Sequence, residues 1–139
     1  MANHLLIGLG GTGGKVLREF RKKVYEEFRS NEPTNGTCIN YLYVDSSEDD
    51  LNSREGWKVM GKYVHLKEAQ KVSIHGLGMN MFQNLSLYPG IKCFLNSGDI
   101  DLMTSKLGPL VTAGIGGQRR RLGRTLFANN LASRDGSDF

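Results

Sequence analysis

Two stretches of this sequence have residue types and spacing suited to holding a phosphate. The first is Gly8-Leu9-Gly10-Gly11-Thr12-Gly13-Gly14-Lys15. Glycines at this density permit positive φ and let a ligand approach the backbone without meeting a Cβ. A helix that starts there adds free N–H groups and a partial positive charge, which together suit an anion. Gly8, Gly10 and Gly13 match GxGxxG, a spacing that is weak alone and informative between a strand and a helix. Thr12 offers a hydroxyl to a phosphate oxygen or to the cap of that helix. The second stretch, Gly108 to Gly117, leads into Gln118-Arg119-Arg120-Arg121-Leu122-Gly123-Arg124. Gly114, Gly116, Gly117 and Gln118 are its candidate contacts. Arg119, Arg120, Arg121 and Arg124 carry guanidinium forks that pair with phosphate. A charge run is more often a solvated face, so one or two of the four are expected to bind, with Arg119 and Arg124 the first choices.

The type of nucleotide follows from what these loops lack. A Walker A loop needs Gly, four residues, then Gly-Lys-Ser/Thr. Gly14-Lys15 is present, but Leu9 replaces the first glycine and Val16 replaces the magnesium-binding hydroxyl. The P-loop is therefore rejected. A dinucleotide site needs an acid at the end of the second strand, about 20 residues beyond the glycines. Asp45 is the candidate, but it follows Gly13 by 32 residues. That spacing is atypical and tolerable, so an NAD(P)-binding oxidoreductase stays as the alternative. Asp45 suits a ribose hydroxyl or a magnesium-bound water, or equally a cap on the segment that follows. No nucleophile–base pair, HExxH motif or carboxylate pair stands out. His4, His65 and His75 share no spacing and read as packing or surface residues. Trp57 and Tyr63 read as core or rim.

These loops must be positioned by elements, and the sequence spells them. His4 to Leu9 is a short apolar run that reads as a buried strand. Lys15 to Ser30 is an amphipathic helix with Val16, Leu17, Phe20, Val24 and Phe28 on one face and Arg18, Arg21, Lys22, Glu26 and Arg29 on the other. Residues Ser30 to Gly36, with Pro33 and Gly36, stop it. Cys38 to Val44 is nearly all apolar, as a strand covered on both faces would be. The first 45 residues thus form a βαβ unit with neighbouring parallel strands, within a three-layer α/β fold. Asp45 to Glu55 reads as a loop or short helix. Tyr63 to Leu66 and Lys92 to Leu95 read as weak strands, and Ile100 to Leu107 as a helical turn or two. Leu122 to Leu131 is a second amphipathic helix. The tail Ser133 to Phe139 is expected to be exposed, leaving residues 1–132 as one domain.

Composition narrows the class. The chain has 139 residues, 39% of them hydrophobic, enough for one modest core. The net charge of +4 is mild and concentrated at Arg18 to Lys23 and Arg119 to Arg124. That pattern favours phosphate recognition or a generic basic surface over nucleic acid. Cys38 and Cys93 lie far apart without a CxxC, so zinc is not expected and both read as small buried hydrophobes. No signal peptide and no run of 18 apolar residues is present, so a cytoplasmic protein off the membrane is expected.

Three motifs in order also carry a family resemblance. Gly8-Leu9-Gly10-Gly11-Thr12-Gly13-Gly14 resembles the first phosphate loop of the tubulin/FtsZ superfamily. Val44-Asp45-Ser46-Ser47 with Leu51 resembles the Asn-Thr-Asp-x-x-x-Leu stretch of FtsZ. Thr112-Ala113-Gly114-Ile115-Gly116-Gly117 with Gly123-Arg124 resembles the third FtsZ loop, one residue shorter, with Arg119 and Arg120 where FtsZ has Asn-Pro. The segment Gly117 to Arg124 is most similar to bacterial tubulin-like proteins outside FtsZ proper. The resemblance spans His4 to about Asn130, with a poorly matched middle from Asn52 to Lys106. It implies guanine nucleotide (GTP or GDP) with Mg2+ carried by the nucleotide, and self-association into cytoskeletal filaments. The superfamily's Gly-Gly-Gly-Thr-Gly-Ser/Thr-Gly signature is not in this sequence, nor are its guanine-binding helix and water-activating acidic loop. The resemblance therefore implies a nucleotide-binding part, incomplete at its C-terminus, that is inactive by itself. A module of the same fold without nucleotide is a further alternative.

Overall fold

A computed structural model describes residues 2–75, 92–93, 95–102, 105 and 120–132. The chain divides into two compact units, residues 1–73 and 74–139.

The first unit begins with β1 (Asn3–Leu9), followed directly by α1 (Gly10–Phe28) and then β2 (Cys38–Asp45). β1 and β2 pair in parallel, with Leu6 opposite Tyr41 and Leu9 opposite Val44. β2 also pairs in parallel with β5 (Lys71–Ser73), giving the order β1-β2-β5. The expected βαβ unit and parallel α/β sheet are thus present. β5 was not anticipated. It has three residues, too few to set up a detectable alternation.

α1 starts five residues earlier than its amphipathic pattern indicates, because the glycines themselves form its first turn. Gly14, Leu17, Arg21 and Val24 are its buried residues. Steps of three and four place these on one face, rotated from the face expected at sequence level. Val16 is 62% exposed and Phe20 is also exposed, whereas Arg21, assigned to the polar face, is only 5% exposed. Arg21 is accommodated because Nε donates to the Val64 carbonyl at 2.6 Å and its guanidinium lies 4.8 Å from the Tyr41 ring centroid. A buried donor with a satisfied hydrogen bond and an aromatic face is tolerated. Burial still pulls the Arg21 pKa down from its ordinary value.

Successive strand residues face opposite sides. Tyr41, Tyr43 and Asp45 point to the side of α1, where Tyr41 and Tyr43 join Leu17, Leu51, Trp57, Val64 and Leu66 in the core. On β1 the other face carries Leu5, Ile7 and Leu9, all exposed. The third layer expected over it is not among the described residues. Cys38 lies at the start of β2, opposite Asn3, and is exposed; Cys93 is exposed too. The reading of both as buried hydrophobes is therefore corrected: an apolar run does not show which face of a strand is covered.

Between β2 and β5 come α2 (Glu48–Asn52) and an antiparallel hairpin, β3 (Lys58–Val59) and β4 (Lys62–Tyr63). The short helix expected after Asp45 is α2, capped by Ser47, whose Oγ accepts from Asp50 N at 3.2 Å. Met60 and Gly61 turn the hairpin at φ 49° and 80°, the paired positive values that match the twist of a two-residue turn. Trp57 belongs to the core and Tyr63 is exposed.

In the second unit, α3 (Ser97–Asp101) begins on a reciprocal cap: Asp99 N donates to Asn96 Oδ1 at 2.8 Å and Asn96 N to Asp99 Oδ2 at 3.2 Å. It starts before the turn expected at Ile100. Residues 92, 93 and 95 carry no strand, against the expectation for Lys92 to Leu95. α4 (Arg120–Ala132) is the second amphipathic helix. Leu122, Thr125 and Leu126 are fully buried, while Phe127 is exposed.

Candidate functional site

The glycine turn lies where β1 ends and α1 begins, at the carboxyl edge of the two parallel strands, the usual position for ligands of open α/β sheets. Its glycines serve different purposes. Gly10 has φ +67° and open space where a Cβ would be. Gly11 is also exposed. Gly8 and Gly13 touch each other: a Cβ on Gly13 would meet Gly8 C at 2.6 Å and Gly8 Cα at 2.8 Å. That approach folds the helix start back onto the strand end. Gly14 is buried because the Tyr43 ring occupies its Cβ space, with Tyr43 Cζ and Oη both 2.5 Å from that position.

The N-terminus of α1 has no cap of its own. Leu9 stands at the N-cap position with no side-chain hydrogen bond, and the first turn contains no acidic residue. The first-turn N–H groups lack intrahelical partners by geometry. They face the side where Gly10 and Gly11 leave the backbone bare. Thr12 is exposed and makes no cap bond, so its hydroxyl is available to a ligand. Backbone donors and the dipole of a helix start are chemically suited to an anion.

Asp45 is 6% exposed and both carboxylate oxygens are engaged. Tyr43 Oη donates to Oδ2 at 2.7 Å, and Ser47 N donates to Oδ1 at 3.1 Å. Asp45 thus ties the end of β2 to the start of α2. Tyr43 links the two halves of the site, since the phenol that holds Asp45 also packs under Gly14. Burial, then the neighbouring Asp45 carboxylate, pushes the Tyr43 pKa well above the ordinary phenol value. Sequence reasoning missed Tyr43. The signal was available, because Tyr43 and Asp45 are two apart on a strand and so share a face. It also missed Asp50, whose Oδ2 lies 4.0 Å from the Cβ position of Gly11. Its carboxylate stands beside the mouth of the turn.

Of the second stretch, Gly114, Gly116, Gly117, Gln118 and Arg119 lie outside the described residues. Arg124 is exposed on α4. Among the described residues no group of three or more His, Cys, Asp or Glu side chains could hold a metal ion. No described helix is long and apolar enough to cross a membrane.

The chain matches none of the curated proteins and none of the solved structures with which it was compared. A family model described as tubulin-like matches residues 5–136. That match covers the glycine turn, the Asp45 corner and the second glycine stretch in one alignment. The parallel β1–β2 pair joined through a glycine-built helix start is consistent with that match, and the chain belongs to the tubulin-like family.

Proposed function

We propose that the glycine turn binds the phosphates of a guanine nucleotide, and that this chain is the nucleotide-binding part of a filament-forming GTPase. The observation that carries the reading is the uncapped start of α1, with donors exposed around Gly10, Gly11 and Thr12 at the sheet's carboxyl edge. Membership of the tubulin-like family supports the choice of guanine. Magnesium would enter with the nucleotide, and Asp50, beside Gly11, is the side chain best placed to meet its hydration shell. In this reading Gly114, Gly116, Gly117, Gln118, Arg119 and Arg124 close on the terminal phosphate. Asp45 acts by holding the corner between β2 and α2. That weakens the dinucleotide alternative, which needs this carboxylate to accept from a ribose hydroxyl: Asp45 is buried, and each oxygen already accepts one bond, from Tyr43 or Ser47.

Calorimetric titration of the full-length protein with GTP, GDP, ATP and NADH tests the proposal. GTP and GDP are expected to bind more tightly than ATP and NADH. Tighter binding of NADH would reverse the ranking, and no binding of any of the four would favour the nucleotide-free module.

A further inference from the structure

A second cavity lies in the first unit, between the end of α2, the following loop and the 3-10 turn Glu68–Gln70. Its volume is about 200 Å³, and no residue of the glycine turn lines it. Tyr43 and Trp57, both core residues, form part of its floor, and Arg54, His65, Lys71 and Glu68 stand around it. Lys71 Nζ pairs with Glu68 Oε1 at 2.8 Å, and the Glu68 side chain is 86% exposed. The Glu68 carboxyl is held below its usual range, first by Lys71 and then, through space, by His65 and Arg54. Three basic groups therefore act on one oxyanion. Arg54 and His65 spend no hydrogen bond on it, and neither is in an ion pair among the described residues. Their N–H donors remain for another acceptor.

We infer that this cavity is a site for a small phosphate-class oxyanion, inorganic phosphate or a short phosphate ester, which takes the place of the Glu68 carboxylate. Glu68 offers two oxygens from the rim. A tetrahedral phosphate offers oxygens in several directions, matching a guanidinium fork, an ammonium and an imidazole. Tyr43 and Trp57 close the buried side of the cavity, while Arg54, His65 and Glu68 lie on its exposed side, where an anion can enter. The volume is below that of a typical drug-sized pocket, which restricts the ligand to a few heavy atoms beyond the phosphate. Because Tyr43 both lines the cavity and packs under Gly14, an occupant would be felt at the glycine turn.

Trp57 is the single tryptophan in the chain, so its fluorescence reads this cavity directly. The test titrates the whole chain with inorganic phosphate and with glycerol phosphate, against sodium chloride of equal ionic strength. Both anions are expected to give a saturable change that chloride does not. Tighter binding of the ester would identify an ester as the ligand, and equal binding would identify free phosphate. Arg54→Ala is expected to weaken binding at least fivefold, and Glu68→Gln to tighten it by removing the competing carboxylate. Both side chains are exposed, so circular dichroism should show an intact fold. Gly10→Ala, which alters the glycine turn, should leave the signal in place. Three results would overturn the proposal: a response no different from chloride, unchanged affinity in Arg54→Ala or weaker binding in Glu68→Gln, and loss of the signal in Gly10→Ala alone.

Discussion

At the scale of single residues, the glycines of the turn divide into those that make room for a ligand and those that make room for the protein. Gly13 meets Gly8 backbone, which has nowhere to move. Gly13→Ala should therefore destabilise the fold by about 2 kcal/mol, the usual range for overpacking. Gly10 has open space, so Gly10→Ala should cost only about 1 kcal/mol from its positive φ, while weakening GTP at least tenfold by blocking phosphate approach. Urea midpoints and calorimetry on both variants check this, and a Gly10→Ala variant with unchanged GTP affinity would make the turn a mere corner. Tyr43 yields a pH prediction. Its pKa is raised in the folded protein, so the fold holds that proton more tightly than the unfolded chain does. The resulting stabilisation is fully present below the unfolded phenol value of about 10. It is lost as pH rises through the folded value. Tyr43→Phe should be less stable than the parent at pH 8, and the gap should narrow toward pH 11 in paired thermal melts. A gap that widens with pH would contradict the Tyr43–Asp45 bond.

At the scale of elements, α1 and α4 show how far periodicity alone can be trusted. In α4 the apolar spacing names the buried face correctly at Leu122 and Leu126, but Phe127 turns out exposed and Thr125 buried. Leu126→Ala should lower stability by about 3 kcal/mol through the cavity it leaves. Phe127→Ala should change it by less than about 0.5 kcal/mol, as an exposed site. Chemical denaturation of the two variants side by side measures the contrast, and similar losses would mean that the helix is rotated from the orientation seen here. In α1 the same periodicity named Leu17 and Val24 correctly, but it also put Val16 and Phe20 inside and Arg21 outside, the reverse of what is found. Two overlapping stripes were available, one through Val16 and Phe20 and one through Leu17, Arg21 and Val24. The sheet chose the second because Gly14 continues it and lets Tyr43 come close.

At the scale of the molecule, the expected chemistry depends on more than one wall around the nucleotide. A leaving phosphate is stabilised by preorganised donors that surround it in a site closed to water. In the proposed reading the phosphates are met by the glycine turn and the second glycine stretch, and neither stretch carries an acid to activate water. The 139-residue chain alone is therefore expected to show no GTP turnover above background and no filaments. Phosphate release and light scattering, followed with GTP and magnesium across protein concentrations, check this. Release rising more steeply than linearly with concentration would mean that neighbouring chains complete the site. Arg119, Arg120 and Arg124 would then be the first residues to substitute.

What the sequence by itself determined is the local part: a strand into glycines, a helix, a second strand ending at Asp45, and a later amphipathic helix. Each rests on short-range rules, namely φ freedom at glycine, period-2 and period-3.6 patterning, and the helix-stopping residues Pro33 and Gly36. Only the tertiary structure decided which face each element buries, since that depends on what lies opposite. Arg21 is inside because the Val64 carbonyl and the Tyr41 ring are there to receive it. Cys38 is outside because it starts the strand on the side away from α1. The gathering of Arg54, His65 and Lys71 around one cavity was equally out of reach. It arises from segments brought together by folding, and no spacing along the chain encodes such a meeting.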